Sequence, residues 1–565
     1  MVRDSKSLWQ HWLHSGYPIT LNPAVRDLAE GAKWLIISGM SESNKPEALH
    51  PAGEPNREPS EYPAPHRVET MGGAMQVRWE EDSGISPHGM LTYFFEFLQT
   101  SGIWQEFVEQ CPLSYSSPNA PTKAEILGTI LCGVLSGHRR YAHITGMRGD
   151  SVLPKLLGIS CLRSEDSIRR AFAGVDEEAL TLWMDRQTLK TYAALLEGDW
   201  VLDLDATVKT LYGRQEEARV GYNPMKPGRP SHAYQVMVLA AAKLVLNVDV
   251  QAGNLTASEY AQPTLWGWLD AHERKDWPTF LRGDIAHGNE KMMQGAEERG
   301  VPYLFKLRQT KGVVQLITRL AGRGTKAGWR AAGQGWEGVE SELQLQGWSR
   351  SRRVIVLRRK LKARPAPEER NSEQLLLPGW AVEHKGGDWY EHAVLVTSWG
   401  EKDLLAVSQA YRERADSENM FDELKNQWGW TGFSTQDLKR SQLMARMVAL
   451  IYNWWSLFTR IASGEKHGEA ITTRPAFLHG IARHTKHGQQ NYLSLSSLHG
   501  KSKKIANLLT AISAWLGAFR KSAEQLAAGA KWSMLLRRIF HHLDPPSATA
   551  NGSPAGQLAA ANCRI

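Results

Sequence analysis

Asp203 and Asp205 stand two residues apart in Trp200-Val-Leu-Asp-Leu-Asp-Ala-Thr207, where apolar and polar residues alternate. Alternation with period two is the pattern of a strand, so Val201, Asp203 and Asp205 share one face and Leu202 and Leu204 the other. Two carboxylates on one face of a central strand carry a desolvation penalty unless a cation or hydrogen bonds compensate them, and a metal ion is the simplest compensation. A third carboxylate, Asp284, closes the short apolar run Phe280-Leu-Arg-Gly-Asp284. Ligands of open sheets gather outside such strand ends, so two strands can offer carboxylates to one point.

The third stretch is Tyr411-Arg-Glu-Arg-Ala-Asp-Ser-Glu-Asn-Met-Phe-Asp-Glu-Leu-Lys425. On one helix, at about 100° per residue, Tyr411, Arg414, Glu418 and Lys425 fall within a sector of roughly 60°. Asp422 falls beside them, whereas Glu413, Asp416 and Glu423 point elsewhere, which leaves Glu418 and Asp422 as the carboxylates of that face. Read alone, the Arg414 to Glu418 spacing is also that of an ordinary i,i+4 ion pair on a solvated helix.

The elements that must bring these stretches together can be read from periodicity. From Met90 to Phe172 the apolar spacing is helical. Within it, Leu153 to Phe172 has a turn at Gly158, a cap at Ser164 and basic Arg169 and Arg170, compatible with a helix-turn-helix on DNA or with two packed helices. At Trp200 the period becomes that of strands, continued by Tyr234 to Ala242, Leu244 to Val250, Phe280 to Asp284 and Tyr303 to Leu307, with a helix over Gly288 to Arg299. Strands in hairpin order followed by strands alternating with helices predict an α/β fold, a mixed sheet flanked by helices. Residues 309–402 read as a β-rich insertion, with strands at Glu340 to Gln346, Arg353 to Arg359 and His392 to Ser398. From Val407 the chain is helical again.

At this point a family can be named. Tyr411-x2-Arg414-x3-Glu418-x6-Lys425 resembles the Y-R-E-K signature of bacterial insertion-sequence transposases of the DDE type. Asp203-Leu-Asp205-Ala-Thr207 resembles their first aspartate motif and Phe280-Leu-Arg-Gly-Asp284 their second. Gly221-Tyr-Asn-Pro-Met-Lys-Pro-Gly-Arg-Pro-Ser-His232 is similar to a segment found in one branch. The resemblance spans about residues 84–463. Ala286-His287 departs from it, since a small residue and an aromatic are more usual there.

The resemblance implies an RNase H-like core interrupted by the insertion, with Asp205, Asp284 and Glu418 as catalytic metal ligands, Asp205 bridging. It implies two Mg²⁺ ions, with Mn²⁺ as a substitute. Two such ions, about 3.5 to 4 Å apart, activate the nucleophilic oxygen and neutralise the leaving oxygen of a phosphodiester. Tyr411, Arg414 and Lys425 are matched to positions that hold DNA backbone, guanidinium by bidentate contact and ammonium as a point charge. The implied partners are double-stranded DNA, both terminal inverted repeats and target, and further copies of the chain assembled on it. A host nuclease on the same core and a non-catalytic DNA-binding relative are the alternatives.

Composition agrees with this. The formal charge of +8 over 565 residues favours a polyanionic partner. Cys111, Cys132, Cys161 and Cys563 have neither CxxC spacing nor paired histidines, so no zinc site or disulfide framework is read. No run approaches a membrane span or an export signal, and the expectation is a bacterial cytoplasmic, DNA-associated protein. The expected divisions are 1–83, an extension bearing Trp9, Trp12 and Trp34 and a proline-rich flexible linker; 84–195, helical and suited to DNA ends; 196–308 and 403–470, the two parts of the core; 309–402, the insertion; and 471–565, helical, then a disordered tail. The insertion's Trp329, Trp336, Trp348, Trp380, Trp389 and Trp399, beside Arg350, Arg352, Arg353, Arg358, Arg359 and Lys360, fit either small-sheet core or a grip on distorted DNA ends. Lys501, Lys503, Lys504, Arg537 and Arg538 are DNA contacts or solvated faces. His138, His143, His287, His541 and His542 read as ordinary surface or core histidines.

Overall fold

The computed structural model describes residues 62, 64–79, 84–223, 226–256, 264–362, 381–383, 388–400, 402–464, 466–498 and 500–540. Trp9, Trp12, Trp34, Trp380, His541, His542 and Cys563, with the proposed C-terminal tail, lie outside them. The chain divides into two compact units, Met1–Glu81 and Asp82–Ile565.

In the first unit, strands β1 (His66–Thr70) and β2 (Gly73–Val77) form an antiparallel hairpin whose residues are all exposed. The hairpin stands within the stretch that the sequence reads as a proline-rich flexible linker. The turn is permitted by Gly73, whose φ of +105° suits a residue without Cβ, and Thr70 Oγ1 donates to the Gly73 carbonyl at 2.8 Å.

The second unit opens with β3 (Gly84–Ser86) and six helices, α1 (Leu91–Ser101), α2 (Ile103–Glu109), α3 (Lys123–Leu135), α4 (Leu153–Leu157), α5 (Glu165–Ala171) and α6 (Glu177–Lys190). Three of them, α3, α5 and α6, start on a side-chain cap. Thr122 and Glu125 exchange hydrogen bonds in a capping box on α3, and Ser164 Oγ accepts the Ser167 N–H on α5. Gly158, at φ +68°, ends α4 in the left-handed region.

Next come β4 (Val201–Thr210), β5 (Arg219–Val220), β6 (Pro230–Leu239), β7 (Leu244–Ala252), helix α7 (Trp266–Asp270), β8 (Phe280–Gly283), α8 (Glu290–Glu298) and β9 (Tyr303–Lys306). In space the order β7-β6-β4-β8-β9 joins an antiparallel meander to two parallel strands, each reached through a helix. This is the mixed sheet flanked by helices that the periodicity predicts, RNase H-like as the resemblance implies.

The insertion differs from its expectation in two ways. It begins with a helix, α9 (Lys311–Gly322), which buries Val313, Leu316, Ile317 and Leu320 at helical spacing. Its strands β10 (Arg330–Gly333), β11 (Trp336–Leu343), β12 (Arg352–Lys360), β13 (Ala381–Glu383) and β14 (Trp389–Thr397) form no separate sheet. β14 pairs antiparallel with β9, so the central sheet runs on through β12, β11 and β10 to eleven strands among the described residues.

The chain then returns through α10 (Leu404–Arg412), α11 (Arg414–Asn426) and the long α12 (Leu438–Ser463), followed by α13 (Ala470–Phe477), the hairpin β15 (Ala482–His487) and β16 (Gln490–Leu495), α14 (Ser502–Ser522) and α15 (Ala528–Ile539). β15 also pairs with β3, tying the two ends of the unit together. Helix α12 docks on the sheet through Asn453, whose Oδ1 accepts the Val245 N–H at 2.9 Å while its Nδ2 donates to the Val245 carbonyl at 2.8 Å. Its other side meets the early helices, with the Phe94 ring 5.3 Å from Trp455 and 5.4 Å from Phe458. One buried apolar cluster includes both groups of helices and the inner face of the sheet. Among the described residues no helix is long and apolar enough to cross a membrane.

Candidate active site

Parallel pairing of β4 with β8 sets Asp203 opposite Arg282 and Leu204 opposite Gly283. One residue further, Asp205 and Asp284 emerge at the same level, as the sequence pattern requires. Asp203 has a different fate from that expected of it. It is fully buried, and Arg282 donates Nε to its Oδ1 at 2.5 Å and Nη2 to its Oδ2 at 2.8 Å. The Ser417 hydroxyl donates to Oδ2, and Arg282 Nη1 donates to the Ala410 carbonyl. The buried charge of Asp203 is thus compensated by a bidentate guanidinium and a hydroxyl, and no metal is needed there. This cross-link also ties α10 and α11 to the floor of the sheet.

The third stretch is two helices in place of one. Helix α10 ends at Arg412, Glu413 remains right-handed at φ −59° and ψ −15°, and α11 begins at Arg414. Since the junction is tightened by a single residue, the expected face survives. Asp205, Asp284, Glu418, Tyr411, Arg414, Lys425 and Asp422 line one open cleft of about 460 Å³, together with Lys306, Ala206, Ile285 and Phe421. Arg414 is the link between sheet and helix. Its Nη2 lies 2.9 Å from Asp205 Oδ1 and its Nη1 2.7 Å from Glu418 Oε1. Its side chain is only 4% exposed, whereas that of Glu418 is 64% exposed.

The two strand-end aspartates are pushed in opposite directions. Burial is the largest influence on Asp205 and, with the nearby charge of Asp284, lifts it to about 6 against the pull of Arg414, His287 and Lys425. Burial also raises Asp284, but the hydrogen bond and charge of His287, the charge of Arg414 and the Ala286 N–H outweigh it and hold Asp284 at about 2. Burial keeps the Tyr411 hydroxyl neutral, above the ordinary phenol range. Burial works against charge on Arg414 as well, yet the surrounding acids, Asp205 foremost, raise it above its ordinary value.

Three residues of the site were not marked by the sequence patterns. Lys306 reaches the cleft from the end of β9. Arg282, given no role of its own by the sequence patterns, neutralises Asp203. His287, read as an ordinary histidine, is buried and holds Asp284 Oδ1 through Nδ1 at 2.8 Å. All three roles depend on strand register, which only the assembled sheet defines.

Several tryptophans of the insertion are engaged within the protein. Arg358 stacks 4.0 Å from the Trp329 ring, Arg359 4.9 Å from Trp336 and Arg352 5.3 Å from Trp348, while Trp399 stacks on Phe280 at 4.5 Å. Arg352 is also ion-paired with Glu290 and Glu297.

The donor set suits a hard divalent cation, since the carboxylates of the cleft offer only oxygen. A positive charge already lies between Asp205 and Glu418, supplied by the Arg414 guanidinium. Among the described residues no group of three His, Cys, Asp or Glu side chains is arranged to hold a metal ion as it stands. The residues fit cation binding in kind and neighbourhood, with Arg414 in the intervening space.

The chain combines an RNase H-like sheet with a carboxylate cleft at the ends of its central parallel strands. Residues 96–515 match the family model described as Transposase DDE domain group 1. The match covers most of the chain, which belongs to this family. Among solved structures the chain is similar to "Cryo-EM structure of piggyBac transposase synaptic complex with hairpin DNA (SNHP)", at 12% identity and a TM-score of 0.32, over 84% of this chain and 90% of that one. No curated protein matches.

Proposed function

We propose that this chain is a transposase that cuts DNA at the terminal inverted repeats of an insertion sequence and joins the freed ends to target DNA. The observation that carries this reading is the single cleft shared by Asp205 and Asp284 from neighbouring strands and Glu418 from a helix more than a hundred residues away, with Arg414 and Lys425 on its wall. These carboxylates would hold two Mg²⁺ or Mn²⁺ ions, which would supply activation of the attacking oxygen and neutralisation of the leaving one.

The chain's own residues do the rest. Lys306, Lys425 and Arg414 give the cleft the cationic wall that a phosphate backbone needs. Tyr411, kept neutral, offers a hydroxyl donor to phosphate. Arg414 bridges Asp205 and Glu418 in the free protein, and in the working complex it turns from them to the DNA backbone. This exchange raises the affinity of the carboxylates for cations, which Arg414 lowers in the free protein. The substrate is double-stranded DNA, and self-association on paired ends follows from the same reading.

Asp205→Ala, Asp284→Ala and Glu418→Ala, made singly, should each abolish Mg²⁺-dependent cleavage of inverted-repeat DNA in a gel assay while end binding persists. Retained cleavage in any one of them removes that residue from the catalytic set.

A further inference from the structure

We infer that His287 is a positioning residue for Asp284: its Nδ1–H fixes Asp284 Oδ1, which leaves Oδ2 as the oxygen that takes a divalent cation. The inference rests on the reading of Asp284 as a metal ligand and deepens it.

The loop after β8 is built to bring this ring under the carboxylate. The His287 N–H donates to the Asp284 carbonyl at 3.2 Å, closing a turn, and the Asn289 N–H donates to the His287 carbonyl at 2.9 Å. Asn289 then caps α8 by accepting the Met292 N–H at 3.2 Å. Glycines flank the turn because nothing larger fits. A Cβ on Gly283 would lie 2.8 Å from Cβ and Cγ of His287, and one on Gly288 would lie 2.4 Å from the Lys306 carbonyl oxygen. The imidazole is therefore held between β8 and β9, 1% exposed, 6.4 Å from the Phe305 ring.

Asp284 Oδ1 receives two donors, His287 Nδ1 at 2.8 Å and the Ala286 N–H at 3.0 Å. A carboxylate that ligates a cation is ionised and only accepts, so in that role the proton of this contact is on Nδ1. With Oδ1 engaged twice, the rotation of the carboxyl group is set. A phenylalanine in the same place would fill the space without donating anything. Partners that orient a ligand in this manner are worth about 10- to 100-fold in metal affinity.

The test is Mn²⁺ titration of the full-length, DNA-free protein, with free Mn²⁺ followed by electron paramagnetic resonance and folding checked by thermal unfolding. His287→Phe keeps the ring and removes the donor; His287→Asn keeps an N–H near the Nδ1 position. His287→Phe should weaken Mn²⁺ binding by about tenfold or more, and His287→Asn should recover most of the loss. If His287→Phe does not fold, His287→Ala takes its place with the same expected loss. Mn²⁺ binding equal to wild type in the donor-less variant, or equal loss in His287→Asn, overturns the positioning role. Asp284→Ala in parallel separates the two claims. If it abolishes binding while the donor-less variant is unaffected, only the role of His287 falls; if it binds like wild type, or wild type binds no Mn²⁺, the ligand reading falls and the inference with it.

Discussion

Asp205 and Asp284 project from neighbouring parallel strands at one level, each a residue past the rung that pairs Leu204 with Gly283. Their environments nevertheless differ in kind. Asp284 is stabilised as an anion by the turn that follows it, whereas Asp205 depends on Arg414, which is shared with Glu418. The pair is acidic on one side and short of positive charge on the other. Binding a cation relieves that imbalance.

The charge cost on Asp205 should be visible in stability. In the unfolded chain an aspartate titrates near ~3.9, and in the fold near 6. Protonation therefore favours the folded state; this contribution is complete below about pH 4 and is lost as pH rises through about 6. Asp205→Asn avoids that loss. Without divalent cations its gain over wild type in urea unfolding should be small at pH 4 and grow toward pH 7, to at most about 3 kcal/mol. A gain that does not change with pH would contradict the assignment.

Arg414 competes with cations for Asp205 and Glu418. Arg414→Met should therefore bind Mn²⁺ more tightly than wild type when no DNA is present, on the order of tenfold, because a full charge about 4 Å away is worth about 1 kcal/mol even in water. Calorimetric titration would measure it, and unchanged or weaker binding would refute the competition.

The Asp203–Arg282 pair is a structural cross-link. Arg282→Met strands a buried carboxylate and should lower unfolding free energy by about 3–5 kcal/mol. Adding Asp203→Leu should restore much of it. An unchanged denaturant midpoint in the single variant would show that Asp203 is not charged in the fold.

Lys425 is assigned to phosphate by charge. Lys425→Ala should weaken binding to inverted-repeat DNA and flatten the dependence of log affinity on log salt by about one unit. An identical slope measured by fluorescence anisotropy would remove Lys425 from the contact surface.

Much of this was legible before any coordinates because it is local. The alternation around Asp205, the apolar run before Asp284 and the helical sector of Tyr411, Arg414, Glu418 and Lys425 rest on periods of two and about 3.6 residues. The non-local part was not. That Asp203 would find Arg282 follows from a register across 79 residues of chain. His287 took meaning only when its glycine-flanked turn packed under Asp284. The break at Glu413 left no mark, having neither Gly nor Pro. Helix α9 was overlooked within a stretch read by its later strands, though Val313, Leu316, Ile317 and Leu320 carried its period. The hairpin at 66–77 was hidden by the composition of its surroundings.

The guanidinium that joins Asp205 to Glu418 lies 209 positions after the first of them. Loops of that length close late, after nearer contacts have formed. A chain released before residue 404 would possess both acidic strand ends but neither Arg414 nor Glu418. On the proposed reading, a translation product that stops short of Arg414 and Glu418 should not cut DNA, and the part of the polypeptide that carries them acts as the safety catch on what precedes it.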